Sequence, residues 1–461
     1  MELLAINWGS VGLKVAQLLL SLSILVILHE FGHYITAKWF KCRVEKFFLF
    51  FDPWFCIVKK KVGDTVYGIG WLPLGGYVKI AGMIDESMDK DAMKLPPQPW
   101  EFRSKPAWQR LIIMLGGVTV NVLLAFLIYA MILMVWGEKK TPNQSLKNGV
   151  WITDSLMYDI GLRNGDKILS VNDVAIKYYE DIPKKILFGG GTSLKIDRNG
   201  KDTTLEIPIA IIGKLVEKKR SKSPLLLQRI PTIAGEFDSK DTTNAKKAGL
   251  RYWDRVIKVD SVPVNFMDEL FTYADTKKNQ NVDLTVLRNG NELHLTVMVN
   301  ENGKMGIYPL KESQYDSLGF YKVEQRKYGF FEAFPAGFNL AVNSLKDYIE
   351  QFKLIFKPST GAYKGVGGFK TMGSIFSGDQ WDWQSFWNIT AFFSIILAFM
   401  NLLPIPALDG GHVLFTLGEM ITGRKPNEKF LEYAQIFGMI ILLALMVYAN
   451  GNDWFGWNKG K

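Results

Sequence analysis

Residues 111–137 contain no charged side chain, and neither do residues 383–408 or 433–452. Wound as a helix at about 1.5 Å per residue, each run is long enough to cross a hydrocarbon core roughly 30 Å thick. A fourth run, 15–37, is interrupted only by His29, Glu30 and His33. It is too long for the apolar part of a cleaved signal peptide, and no A-x-A-like site follows it. In lipid every backbone polar group must be bonded within the chain, so runs of this kind become helices. The expected fold is a polytopic α-helical membrane protein with four transmembrane helices, at 11–37, 111–137, 384–408 and 433–450.

The rest of the composition fits that class. Apolar residues make up 48% of the 461 and charged residues 22%, which excludes a disordered or collagen-like chain. Two cysteines, Cys42 and Cys56, cannot build a disulfide framework or a Cys-rich zinc site. A net charge of +10 would suit nucleic acid if it were gathered on one face or tail. Here the basic residues flank the apolar runs, so the expected partner is the lipid bilayer and not nucleic acid. Lys38, Lys41, Arg43 and Lys46 open the 38–110 loop, and Arg103, Lys105 and Arg110 close it; Arg424, Lys425 and Lys429 lie between the last two runs. The positive-inside rule puts both loops in the cytoplasm, and both termini and 138–382 outside. Both cysteines then fall on the reducing side, as free thiols should.

The outer segment repeats itself. Gly161-Leu162-x-x-x-Asp166-x-Ile168-x-x-Val171 recurs as Gly249-Leu250-x-x-x-Asp254-x-Val256-x-x-Val259. Arg198-Asn199-Gly200 recurs as Arg288-Asn289-Gly290, each between alternating apolar strands, and Asn-Gly in that setting signals a hairpin. Two copies of one small α+β domain are expected, at 143–222 and 226–312, joined through the basic stretch 217–223. They resemble PDZ domains through the Gly-Leu-x-x-Gly-Asp-x-Ile-x-x-Val pattern. The resemblance implies peptide binding at a sheet edge; a role as a steric spacer is the other reading. The second copy has Trp253 where the first has Gly165, so its turn is expected to be built differently. Beyond the repeats, Phe331, Phe334, Phe338, Val342, Leu345, Ile349, Phe352 and Phe356 recur at helical spacing and predict an amphipathic helix over 329–356, lying on the membrane surface or the folded core.

The chemistry lies in the first span. His29-Glu30-Phe31-Gly32-His33 is an H-E-x-x-H motif, and residues four apart share a helix face. Both imidazoles can then reach one Zn2+, with the glutamate between them as general base. Ionisable side chains inside a membrane are costly and mark function. A hydrogen-bonded polar cluster is the plainer alternative, but a divalent cation is what three such residues in five positions call for. Asp409 is the expected third ligand, at the inner end of the third span, where topology brings it to the same cytoplasmic half as His29. His412 is its rival. Pro404 and Pro406 cannot sit in an undisturbed helix, so the freed backbone there should be buried or line a wet cavity. His294 reads as an exposed strand residue.

The H-E-F-G-H span, the segment Asn401-Leu-Leu-Pro404-Ile-Pro406-Ala-Leu-Asp409-Gly-Gly and a tandem PDZ insert between the second and third spans resemble, along essentially the whole chain, the bacterial site-2 proteases, the M50 zinc intramembrane proteases. That resemblance implies His29, His33 and Asp409 as zinc ligands and Glu30 as catalytic residue. It implies a cytoplasmic-side re-entrant β-hairpin at Leu74-Gly75-Gly76-Tyr77-Val78-Lys79, within the loop 38–110. Gly75, Gly76, Tyr77 and Val78, with Asn401, Pro404 and Pro406, become candidate substrate-binding residues. The implied home is the bacterial inner membrane, with the PDZ pair periplasmic and excluding bulky ectodomains. The implied substrates are single-span membrane proteins already trimmed outside, such as anti-sigma factors or remnant signal peptides. Where relatives carry a Gly-Pro motif before the third span, this chain has Gly367-Gly368-Phe369. A zinc or proton transporter fits poorly, because four spans show no inverted repeat. A catalytically inactive scaffold would have no need of Glu30.

Overall fold

A computed structural model describes residues 7–83, 96–188, 193–218, 224–238 and 242–457. The join expected at 217–223 falls mostly outside them. The chain divides into two compact units. One comprises Met1–Gly137, Lys327–Lys353 and Val366–Lys461; the other comprises Glu138–Arg326 and Leu354–Gly365.

The first unit holds four helices long and apolar enough to cross a membrane, Trp8–Trp39, Ala107–Val135, Trp383–Asn401 and Lys429–Phe455. Side chains cap several of their starts. Asn7 accepts from Ser10 N, Asp382 from Gln384 N and Ser385 N, and Asn427 from Lys429 N, each satisfying amides that the first turn leaves open. The third span differs from expectation. Its helix stops at Asn401, and a separate helix, Asp409–Thr422, starts at Asp409. Pro404 and Pro406 have no amide hydrogen to continue the ladder, so 402–408 is a turn and Asp409 opens the next helix. Glycine makes the tightest contact between the first two spans: a Cβ on Gly116 would lie 2.6 Å from the Gly32 carbonyl oxygen. Small residues at such a crossing let backbones approach.

After the first span come two long strands, Val44–Val62 and Thr65–Ile80. The start of the first strand is paired on both sides: Phe48 lies opposite Tyr77 on one side and Gly68 on the other. Residues 76–80 therefore form an outer edge, to which no further strand is paired among the described residues. Ala37, Val44, Ile80, Ile113, Met114 and Val413 form a buried cluster that ties this sheet to the first two spans and to the helix bearing Asp409. Cys42 and Cys56 are free thiols, and burial pushes the Cys42 thiol pKa up. The amphipathic helix runs Phe330–Ile355. Its buried face is the small-residue row Ala333, Gly337 and Ala341, while Phe331 and Phe338 stay exposed. The phenylalanine stripe is split: Phe334 and Phe352 pack against Phe126 and Phe399, while Phe331, Phe338 and Phe356 are exposed.

In the second unit each copy of the repeat carries a four-stranded sheet with the same order. The first runs Val174–Ala175, Lys167–Val171, Ser193–Arg198, Lys201–Glu206; the second runs Val262–Pro263, Arg255–Val259, Asn281–Arg288, Asn291–Met298. The Asn-Gly turns have φ of 55° and 80° in one copy and 50° and 83° in the other, the double left-handed geometry that suits a two-residue hairpin. The repeated aspartate is buried, and it is paired with the repeated arginine, which is partly exposed. Arg198 donates through Nε and a terminal nitrogen to both oxygens of Asp166, at 2.7 Å each, and to the Gly161 carbonyl. Arg288 does the same with Asp254 and Gly249. These bonds raise the pKa of each guanidinium. The expectation for Trp253 is overturned. Its φ of 73° matches the left-handed 92° of Gly165. Its amide bonds Ala234 O as Gly165 bonds Val150 O. The turn is the same in both copies, with the aromatic residue tolerating a conformation that costs an L-residue about 1–2 kcal/mol.

Candidate metal centre and cavity

The first span sets two imidazoles one turn apart, both buried. The helix starting at Asp409 brings in a carboxylate. Asp409 Oδ2 lies 3.2 Å from His29 Nε2 and 3.2 Å from His33 Nε2, and the two nitrogens are 3.3 Å apart. Tetrahedral coordination at zinc–nitrogen and zinc–oxygen lengths near 2.0–2.1 Å separates neighbouring ligand atoms by about 3.3 Å.

The hydrogen bonds also fit a cation. His33 Nδ1 donates to the Ile113 carbonyl at 2.8 Å, which leaves its Nε2 as a lone-pair donor. Asp409 Oδ2 is buried and has no hydrogen-bond partner. A lone pair and a carboxylate oxygen facing each other at this distance repel unless a positive charge lies between them. His29 Nδ1 is 3.0 Å from the Asn121 carboxamide, whose Oδ1 is buried without a partner. With Oδ1 turned toward the ring, Asn121 accepts the Nδ1 proton and fixes the tautomer that leaves Nε2 as the ligand atom. The donor set His29, His33 and Asp409 therefore suits zinc, and His412 is not part of it.

Glycine makes room for this arrangement. A Cβ on Gly117, in the second span, would lie 2.6 Å from His29 Cε1. Gly117→Ala is expected to displace the rings and weaken zinc affinity on the order of 10- to 100-fold, the usual cost of disturbing a ligand's support. Competition with a chelator measures it.

The triad opens on a cavity of about 680 Å³. Glu30, Asn401, Gly75, Gly76, Tyr77 and Val78 line it. Asn401, the last residue of the third span's helix, puts its Nδ2 3.2 Å from His29 Nε2. Pro404 and Pro406 are not on the wall; they shape the turn that delivers Asp409. His412 lines the wall, and His294 is an exposed strand residue, as expected. Four residues near the site escaped the sequence reading: Asn121, Gly117, Lys46 and Asp52. A polar Asn inside an uncharged run was the one available signal among them.

The profile of Peptidase family M50 matches residues 17–445 of this chain. Proteins of Rickettsia conorii and Neisseria meningitidis, both named "Putative zinc metalloprotease", are each 28% identical to it. They cover 96% and 93% of this chain and 98% and 96% of their own. The "Regulator of sigma-E protease RseP" of Escherichia coli is 26% identical over 95% of this chain and 97% of its own.

Proposed function

We propose that this chain, which belongs to peptidase family M50 and is a zinc-dependent intramembrane protease of the site-2 type, holds its metal with His29, His33 and Asp409 and uses Glu30 as the catalytic base. The observation that carries this reading is the triangle of three ligand atoms, 3.2 and 3.3 Å apart, in the cavity that Glu30 lines. Zinc bound there would acidify a water and polarise a peptide carbonyl. Glu30 takes the proton of the attacking water and returns it to the leaving amine as the C–N bond breaks. Asn121 and the Ile113 carbonyl hold the two rings so that both Nε2 atoms face Asp409.

A helical substrate shields its carbonyls in its own hydrogen bonds and must unwind before attack. The free edge at 76–80 offers a strand for the unwound segment to pair with, beside the cavity. Gly75 and Gly76 let the edge pack closely on Phe51, Phe48 and Val26 beside the cavity, and Asn401 offers a side-chain amide to the substrate backbone. The substrates are single-span membrane proteins already trimmed outside the membrane, of the anti-sigma-factor or signal-peptide-remnant kind, in keeping with the name of the Escherichia coli relative. The basic flanks of 38–110 and 424–429 favour a bacterial inner membrane setting with the active site toward the cytoplasm. The two repeats, read as periplasmic PDZ domains, exclude untrimmed ectodomains by size.

The test compares the purified parent with Val78→Pro or Tyr77→Pro, scoring cleavage of a single-span substrate and zinc content. The parent should cut. The proline variants should keep their zinc and lose about tenfold or more in turnover, since one main-chain bond is worth about 1 kcal/mol and the strand is also distorted. Equal loss of zinc and turnover would remove the strand-pairing account. No cleavage by the zinc-loaded parent would remove the proteolytic one.

A further inference from the structure

The hairpin end of the cavity carries polar groups that the hydrolysis does not use. Lys46, Asp52, Tyr77 and Lys79 all line it. Tyr77 Oη donates to Asp52 Oδ1 at 2.8 Å, and Lys46 Nζ donates to Tyr77 Oη at 3.3 Å. Lys79 is paired with Glu45 at 3.3 Å. Lys46 has no such partner: among the described residues its ammonium forms no ion pair, and it rests 5.7 Å and 5.8 Å from the ring centres of Phe48 and Tyr77. An ammonium has three donors, and among the described residues one is used. A cation that lines a cavity and makes no ion pair among the described residues is a functional-site candidate, with a carboxylate as its complement.

We infer that Lys46, steadied by Tyr77 and Asp52, forms a subsite for an acidic side chain of the substrate, close to the bond that is cut. The inference rests on the strand-pairing reading above. Side chains alternate along a strand, so Tyr77 and Lys79 share one face of the outer edge, with Val78 and Ile80 on the other. Lys46 and Phe48 lie across from Lys79 and Tyr77 in the pairing, on that same face. A substrate strand added at 76–80 would send every second side chain toward this face, which Lys46 shares with Tyr77 and Lys79. Tyr77 stands between Asp52 and Lys46, donating to the carboxylate and accepting from the ammonium, so among the described residues two of the three ammonium donors remain for an incoming carboxylate. The opposing view is that Lys46 only packs its stem and charge against two rings. In that case it would support the hairpin without reading the substrate.

The experiment uses the full chain in phospholipid vesicles and a single-span substrate series. In the series one position at a time, within about five residues of the cut bond, the span of one added strand, is made Gln, Glu or Lys. The parent is expected to prefer Glu over Lys by about tenfold or more in kcat/KM at one position or more on the same face. Lys46→Glu should invert that preference at the same positions, and Lys46→Gln should flatten it, with zinc content retained in both. If the parent has no Glu preference anywhere, the inference is wrong. It is also wrong if both variants lower the Gln, Glu and Lys substrates by one common factor, which is the result for a merely supporting lysine. The Gln members of the series separate the two layers: parent that cuts none of them refutes the proteolytic reading itself, whereas parent that cuts them and shows no charge preference refutes this subsite alone.

Discussion

Glu30→Gln is expected to lower cleavage of a single-span substrate by about 10³- to 10⁴-fold, near the upper range for a positioned general base, while zinc content stays at the parent's level. The amide has the size of the carboxylate but cannot accept the proton of the attacking water. The three ligand atoms belong to His29, His33 and Asp409 and are not altered by the change. Single-turnover cleavage together with metal analysis gives both readings at once. Retained turnover above about a tenth of the parent's would remove Glu30 from the base role, since a lost general base costs at least about 10²-fold. Loss of zinc would make its role structural.

The second large effect lies far from the chemistry in sequence. Asp254→Ala should destabilise the second copy of the repeat by about 1.5–3 kcal/mol, the range for hydrogen bonds to a charged group, since the partly exposed Arg288 can turn to water. Asp254 is 1% exposed. Its two oxygens take three donors, from the Arg288 guanidinium and the Arg251 amide. Without them, Arg288 loses its carboxylate, and the hairpin Asn281–Met298 loses its tie to the Gly249 turn. Amide exchange in that hairpin should quicken by roughly 10- to 100-fold. Asp166→Ala should do the same to the first copy through Arg198. Neither change should alter zinc content. Unchanged exchange in either hairpin would show that the repeated pair is ornamental.

Much of the fold could be read in advance because its signals are local. An uncharged run of helical length has one solution in lipid. Two Asn-Gly dipeptides between alternating strands have one favoured turn. The H-E-x-x-H spacing places both imidazoles on one face whatever surrounds them. What escaped depends on absent side chains or on long-range packing. Nothing about Gly117 alone announces that two imidazoles lie against it, and the Gly32–Gly116 crossing is visible only once the spans are packed. Residues 383–408 look like one apolar run, yet two prolines end the helix at Asn401 and let Asp409 begin another. The strand Val44–Val62 was not foreseen because its aromatic run does not alternate. On the helix Phe330–Ile355 the phenylalanines dominate the pattern, and Phe334 and Phe338 do meet Phe126, but the closest approach to the second span, at Ala130, is made by Gly337. At Trp253 a general rule misled: the left-handed position was read as needing glycine, but the surrounding hydrogen bonds fix it and the aromatic residue bears the strain.

The central claim is that residues from two distant stretches of chain, His29 and His33 at one end and Asp409 at the other, bind one zinc between them. Metal analysis of the purified parent beside Asp409→Ala tests it most directly. The account predicts about one zinc per chain in the parent and, after mild chelation, almost none in the variant, because a structural or catalytic zinc needs three protein ligands. Equal zinc in the two proteins, or none in the parent purified without chelator, would contradict it.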